Sequence, residues 1–306
     1  MLLQVDVIMQ RTRALWSLLE DEVRSATTDE LLAKPGDRWS ARDSLVHIGN
    51  WEEEGVVYFD SLFTEQPFAA NNLPIDEWNA QHLAKYAQLD MDGVMAYLRA
   101  QHQALEAYAE RITEAQMNGN PSFRGLLLMT PDHVAGHLHQ IREAVARARG
   151  DEQGAGLHYL AYARQRVLTR LNLEYRPVAS LEWRPAEGKW NIKEQLIHLS
   201  LWDRHWVGLF DAVAADRPLP GYPCPPEELD RYNQEQVAAR SWWSLAETLH
   251  EFGAARGALM DAYRRLTLEQ AMSEPVRQRL ERSRKHDDMH MYSILKTLGE
   301  WRKVHV

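Results

Sequence analysis

Residues 38–52 read Arg38-Trp39-Ser40-Ala41-Arg42-Asp43-Ser44-Leu45-Val46-His47-Ile48-Gly49-Asn50-Trp51-Glu52, and residues 189–203 read Lys189-Trp190-Asn191-Ile192-Lys193-Glu194-Gln195-Leu196-Ile197-His198-Leu199-Ser200-Leu201-Trp202-Asp203. At an offset of 151 both tryptophans, the leucine and the histidine are identical, and the basic and acidic positions agree in sign. A stretch that recurs within one chain points to a duplicated unit before any residue-level reading is made. Two further blocks follow in the same order. Ile75-Asp76-Glu77-Trp78-Asn79 matches Leu229-Asp230-Arg231-Tyr232-Asn233 at an offset of 154. Thr130-Pro131-Asp132-His133 with His137 matches Ser283-Arg284-Lys285-His286 with His290 at an offset of 153.

The chain therefore reads as two tandem units, 1–150 and 157–306, joined by a linker at Gly150-Asp151-Glu152-Gln153-Gly154-Ala155-Gly156. Each unit is expected to be all-helical, a four-helix bundle. Apolar residues recur at helical spacing over 3–25, 41–62, 91–113 and 131–148 in the first unit. The second repeats them over about 157–174, 192–212, 241–266 and 284–303. A shorter helical piece is expected around 75–87. Ser40 with Asp43, and Asn191 with Glu194, have the spacing of a capping box. Thr130-Pro131 reads as a helix start, with proline at the first helical position.

The 306 residues are 45% hydrophobic and 26% charged, with a formal net charge of -9, and these figures describe an ordinary globular chain without a basic footprint for nucleic acid. No apolar run is long enough to span a membrane. The opening Met1-Leu2-Leu3-Gln4-Val5-Asp6 lacks the pattern of a signal peptide. The single cysteine, Cys224, lies in Pro223-Cys224-Pro225-Pro226 with no activating partner beside it. A cytoplasmic protein without nucleic-acid or membrane partners is expected.

Of the 13 histidines, His82, His102, His139, His158, His250 and His305 have no partner at ligand spacing and read as surface or core residues. His133 and His137 are four apart and project from one helix face, as do His286 and His290. Two imidazoles so placed can reach one metal ion. His47 and His198 lie two turns into their helices among apolar neighbours and can supply a third ligand from a second helix. His133 and His286 would sit in the first helical turn, where the helix dipole favours the neutral, metal-binding imidazole. Three nitrogens per site leave coordination positions open, the pattern of a catalytic rather than a structural site. The alternative is a pair of hydrogen-bonded histidine networks. Glu54, seven residues after His47, and His205 at the equivalent position are candidate general bases.

Trp39, His47 and Trp51, followed by His133-Val134-Ala135-Gly136-His137-Leu138-His139-Gln140-Ile141, resemble the DinB-like superfamily. So do Trp190, His198, Trp202 and His286-Asp287-Asp288-Met289-His290-Met291-Tyr292-Ser293-Ile294. The blocks Asp76–Asn79 and Asp230–Asn233 are similar to those of the ClbS/DfsB branch. The resemblance implies four-helix bundles that each bind one divalent metal through three histidines, here His47, His133, His137 and His198, His286, His290. It implies relatives that are thiol-dependent S-transferases, a maleylpyruvate isomerase domain using mycothiol, and resistance proteins that open cyclopropane rings. It also implies pairing into dimers, which the duplication would mimic as an intramolecular pseudo-dimer. Gln140 departs to Ser293 in the second unit.

These observations lead to one expectation, a metal-dependent enzyme acting on a small-molecule substrate. It would be a thiol S-transferase or hydrolase using a divalent metal such as zinc, nickel, iron or copper, with a low-molecular-weight thiol as a candidate cofactor. The rival expectation is a non-catalytic, stress-related metal- or ligand-binding bundle.

Overall fold

The computed structural model describes residues 5–68, 73–171 and 178–305. Among them every regular element is helical, and the chain divides into two compact units, Met1–Asp151 and Glu152–Val306. The first contains α1 (Val5–Ser25), α2 (Thr28–Leu32), α3 (Ala41–Thr64), α4 (Ile75–Lys85), α5 (Met91–Ala109), α6 (Glu114–Gly119) and α7 (Pro121–Ala148). The second contains α8 (Glu152–Leu171), α9 (Val178–Glu182), α10 (Ile192–Ala214), α11 (Leu229–Ala238), α12 (Leu245–Arg264), α13 (Leu268–Met272) and α14 (Glu274–His305), with a short 3-10 turn at Pro226–Glu228. The series runs in parallel, α1 with α8 through α7 with α14. No described helix is long and apolar enough to cross a membrane.

Four long helices make each bundle. In the first, α3 packs on α5 and α7, and α1 on α7. In the second, α10 packs on α12 and α14, and α8 on α14. Leu45, Ile48, Leu98, Ile141 and Val145 are in the first core, and Leu196, Leu199, Phe252, Ile294 and Leu298 are their counterparts. Each such side chain contributes about 1.5–3 kcal/mol on burial.

The entry of α3 and α10 is fixed by side chains. Ser40 accepts from Asp43 N while Asp43 accepts from Ser40 N, and Asn191 and Glu194 make the same reciprocal pair. At the second position of each helix a basic residue ties down the segment after the short fourth helix. Arg42 donates to Tyr86 O (2.7 Å) and Leu89 O (2.9 Å), and Lys193 donates to Trp243 O (3.0 Å). These bonds hold α4 and α11, with Asn79 and Asn233, beside the helix that carries His47 or His198.

Two expectations from the sequence are corrected. The last helix of each unit begins earlier than Thr130 or Ser283. In α7 the cap is Asn120, whose side chain accepts from Ser122 N (2.9 Å), with Pro121 at the first helical position. Pro131 lies inside α7, and Thr130 donates its hydroxyl back to Leu126 O (3.1 Å) rather than capping. Proline has no N–H for the preceding turn, so a helix normally breaks there. Here the tertiary packing of α7 on α1 and α3 carries it through. His133 and His286 are consequently mid-helical, and the helix-dipole argument for their neutrality does not apply.

The second correction concerns the linker. Residues 152–156 begin α8, and the connection is Arg149, Gly150 and Asp151, with Gly150 at φ +74°. Gly156 is a packing residue. A Cβ there would lie 2.4 Å from the Tyr263 hydroxyl, and Tyr263 is fully buried in α12. We expect Gly156→Ala to destabilise the protein by about 1–3 kcal/mol through overpacking, despite alanine's better helix propensity. Tyr263→Phe in the same chain should recover part of the loss, read as the urea midpoint in a double-mutant cycle. Additive losses would show that the close approach is not the cause.

Candidate metal centres

Because α3 starts at Ala41 under a fixed cap, His47 falls on the face turned to α7, where His133 and His137 project one turn apart. The three rings meet through their Nε2 atoms. His133 Nε2 is 3.2 Å from His47 Nε2 and 3.0 Å from His137 Nε2. In the second unit His198 Nε2 is 2.9 Å from His286 Nε2, and the His290 ring lies 4.9 Å from His198 and 4.8 Å from His286. In each triad one ligand atom per histidine lies within 4.8 Å of the others, so both buried clusters could hold a metal ion.

Tryptophans frame both clusters. Trp39 packs on His47 (4.8 Å) and His137 (6.5 Å), and Trp51 on His47 (6.2 Å) and His133 (6.0 Å). Trp190 and Trp202 repeat these contacts on His198, His290 and His286. Enclosed this way, the imidazoles lose hydration, which disfavours their charged form. Burial, and then the neighbouring His137, depress His47 to about 2. His198 is also pushed to about 2, by burial and then by His286 and His290. Burial lowers His137 and His290 to about 4 each. His286 is held well below its usual range by burial, then by His290 and the buried Arg164 and Arg256. Neutrality thus comes from desolvation.

The outer ring nitrogens fix which inner nitrogens carry lone pairs. His137 Nδ1 meets Gln140 Oε1 at 2.5 Å; an amide oxygen only accepts, so Nδ1 carries the hydrogen and Nε2 the lone pair. Ser293 replaces Gln140 in the second unit, yet His290 Nδ1 finds the same group, Gln195 Oε1 at 3.3 Å, from α10. Gln195 in turn occupies the place of Ser44. The carboxamide has moved from one helix to the other while keeping its target. Beside the first triad, His47 Nδ1 and Asn79 Oδ1 are buried without completing a hydrogen bond of normal geometry, although Asn79 acts to oppose the fall in the His47 pKa. On the second, Asn233 Oδ1 accepts from Trp202 Nε1 (3.2 Å).

Three imidazoles that each bring one ring nitrogen to the same point suit a cation. Ligand nitrogens about 2.0–2.1 Å from a tetrahedral zinc would stand about 3.3–3.4 Å apart, close to the spacings seen. The donor set and the orienting carboxamides are those of a metal-binding histidine and its outer partner.

The sequence profile of the DinB superfamily matches residues 11–141 and 159–294. The chain belongs to the DinB superfamily. Each DinB segment contains one complete triad. The match stands at the level of the superfamily and does not distinguish the ClbS/DfsB branch. No curated protein and no solved structure matches the chain.

The two candidate bases lie near the DinB triads without touching them. Glu54 lines a cavity with Trp51 and Trp78. His205 packs on Trp202 (5.2 Å) and Tyr222 (6.3 Å), and burial, then Arg279, lowers its pKa. The Cys224 thiol is pushed up, by desolvation and then by Glu228, which opposes nucleophilic activation.

A buried acid on the first-triad helix escaped the sequence reading. Glu52, five residues after His47, meets the buried His102 (3.0 Å), and burial raises its pKa. Its counterpart Asp203 is gripped by Arg256 (2.9 and 3.1 Å) and Arg164 (2.7 Å), which also hold Asp287 (2.8 and 3.3 Å). The signal was available in the aligned positions His102 and Arg256, a histidine exchanged for an arginine.

These shifts set a pH dependence. The unfolded chain protonates its histidines near 6.5, whereas the folded triads resist until about 4 or about 2. Between those values the unfolded state binds more protons, so stability falls as pH falls below about 6.5. For metal-free protein we expect the denaturation midpoint to drop from pH 7 to pH 5. The slope should be shallower in His47→Asn and His198→Asn. Equal slopes in variant and parent would rule the triads out as its source.

Proposed function

We propose that the protein is a divalent-metal-dependent small-molecule enzyme, with one cation on His47, His133 and His137 and a second on His198, His286 and His290. The observation that carries this reading is the convergence in each unit of three imidazoles, each with one ring nitrogen within 4.8 Å of the others. A divalent cation bound there would supply activation of water or a low-molecular-weight thiol as a nucleophile near neutral pH. Three protein ligands leave room for such a molecule, where a structural site is normally closed by four. The substrate class is an electrophilic small molecule, and the reaction class S-transfer or hydrolysis.

The chain's own residues do the positioning. Gln140 and Gln195 hold His137 and His290 in the tautomer that presents Nε2 inward. The tryptophans exclude water from the rings and keep the imidazoles unprotonated. His205, kept neutral by burial, is able to accept a proton, and Glu54 faces the cavity beside Trp51. Imidazole donors suit zinc, nickel or iron alike.

Elemental analysis of the purified chain tests the reading. We expect about two divalent ions per chain, with one lost in His133→Ala and one in His286→Ala. Gln140→Ala and Gln195→Ala should each weaken only their own site, by about 10–100-fold in affinity. Protein that stays metal-free after reconstitution would reduce the triads to hydrogen-bonded networks. A metal that stabilises the fold but admits no added thiol or substrate would favour the non-catalytic bundle.

A further inference from the structure

The two triads have unlike surroundings, and the differences fall at matched positions. Beside His198 and His290 opens a cavity of about 820 Å³ whose wall carries Lys189, Lys296, Asp230 and Glu300. These four side chains form no ion pair with one another or with any other described residue. The first unit has Arg38, Glu143 and Arg147 where Lys189, Lys296 and Glu300 stand. There the charges are spent internally. Arg38 and Arg147 both bond Glu143, the latter at 3.2 Å. Exchanging Glu143 for Lys296 puts two cations where a pair stood, so the second wall presents unpaired charges of both signs.

The first unit has a different cavity, of about 280 Å³, next to Trp51. Its wall is formed by Tyr58, Phe68, Trp78 and Met129, with Glu54 as its acidic group. Trp51 belongs to this wall and also packs on His47 and His133. Residue 55, a glycine, lines this space. In the second unit Trp206 takes that position, buried and with its ring 5.9 Å from His286. Arg279 and Arg282 replace Leu126 and Met129 and bond the Tyr222 hydroxyl, the former at 2.7 Å.

We propose that the two triads select chemically different ligands. The second receives a zwitterionic small molecule, its carboxylate toward Lys189 and Lys296 and its ammonium toward Asp230 and Glu300. The first receives a compact apolar cation, its ring or alkyl body among the aromatic side chains and its charge toward Glu54. The grounds are charge complementarity in the one cavity, and an aromatic wall with a single acid in the other. The inference rests on the proposed metal-dependent function only in treating each cavity as the approach to its triad.

Calorimetric titration of the full chain, metal-loaded and metal-free, tests it with two probes. 5-Aminopentanoate carries separated charges that chelate cations poorly, and phenethylammonium is a compact aromatic cation. Lys296→Glu, which offers Lys189 a partner, should weaken 5-aminopentanoate at least tenfold and leave phenethylammonium unchanged. Gly55→Trp should abolish phenethylammonium binding and spare 5-aminopentanoate. A Cβ at Gly55 would lie 3.0 Å from Leu105 Cδ1, so Met129→Arg serves as a second variant should Gly55→Trp not fold. Loss of both probes in either variant, competition between them, or no binding at millimolar concentration overturns the proposal. Metal content read on the same samples separates the outcomes. A chain with two cations that ignores the probes sinks this inference alone, and a chain without cations sinks the proposed function.

Discussion

Three imidazoles brought together on facing helices in the bundle interior are the constraint around which each unit is built. Charged, the rings would repel one another at about 3 Å and lose their hydration together. Neutral, each brings one lone pair and one hydrogen, and where the outer nitrogen keeps the hydrogen the lone pairs face inward. The capping boxes at Ser40 and Asn191 set the height of His47 and His198 along their helices. The tryptophans keep water from the rings, and a carboxamide selects the tautomer.

The same demand has been met twice with different parts. Beneath the first triad the polar core is a Glu52–His102 pair. Beneath the second it is a closed set of two arginines and two aspartates, all at most 5% exposed at the side chain. Breaking such a set by removing one partner costs about 3–5 kcal/mol, because the remaining charge is stranded. In the first unit His102 stands where Arg256 stands, facing Glu52. The second bundle therefore carries permanent charge close to its triad, and Arg164 and Arg256 help to depress His286.

The duplication, the helical class, the two capping boxes and all six triad histidines were legible in the sequence. They depend on local spacing and on register between the copies, and both survive in a linear string. The starts of α7 and α14 were not. Thr130-Pro131 has the local chemistry of a helix start, and only tertiary packing shows that Asn120-Pro121 is the one in use. Gly156 looked like linker because a glycine chosen for close approach and one chosen for freedom are written with the same letter. Gln195 was passed over because its partner lies 95 residues away. The exchange of Gln140 for Ser293 announced that a group was missing, and the exchange of Ser44 for Gln195 supplied it, but only the fold shows that these two positions serve one ring.

That relocated carboxamide binds each copy to its own history. A recombination that placed an α14-type final helix in the first unit would leave His137's counterpart with a serine on both sides. The reciprocal event would crowd two glutamines around His290's counterpart. Only an exchange that carried both helices would leave each histidine with one carboxamide partner.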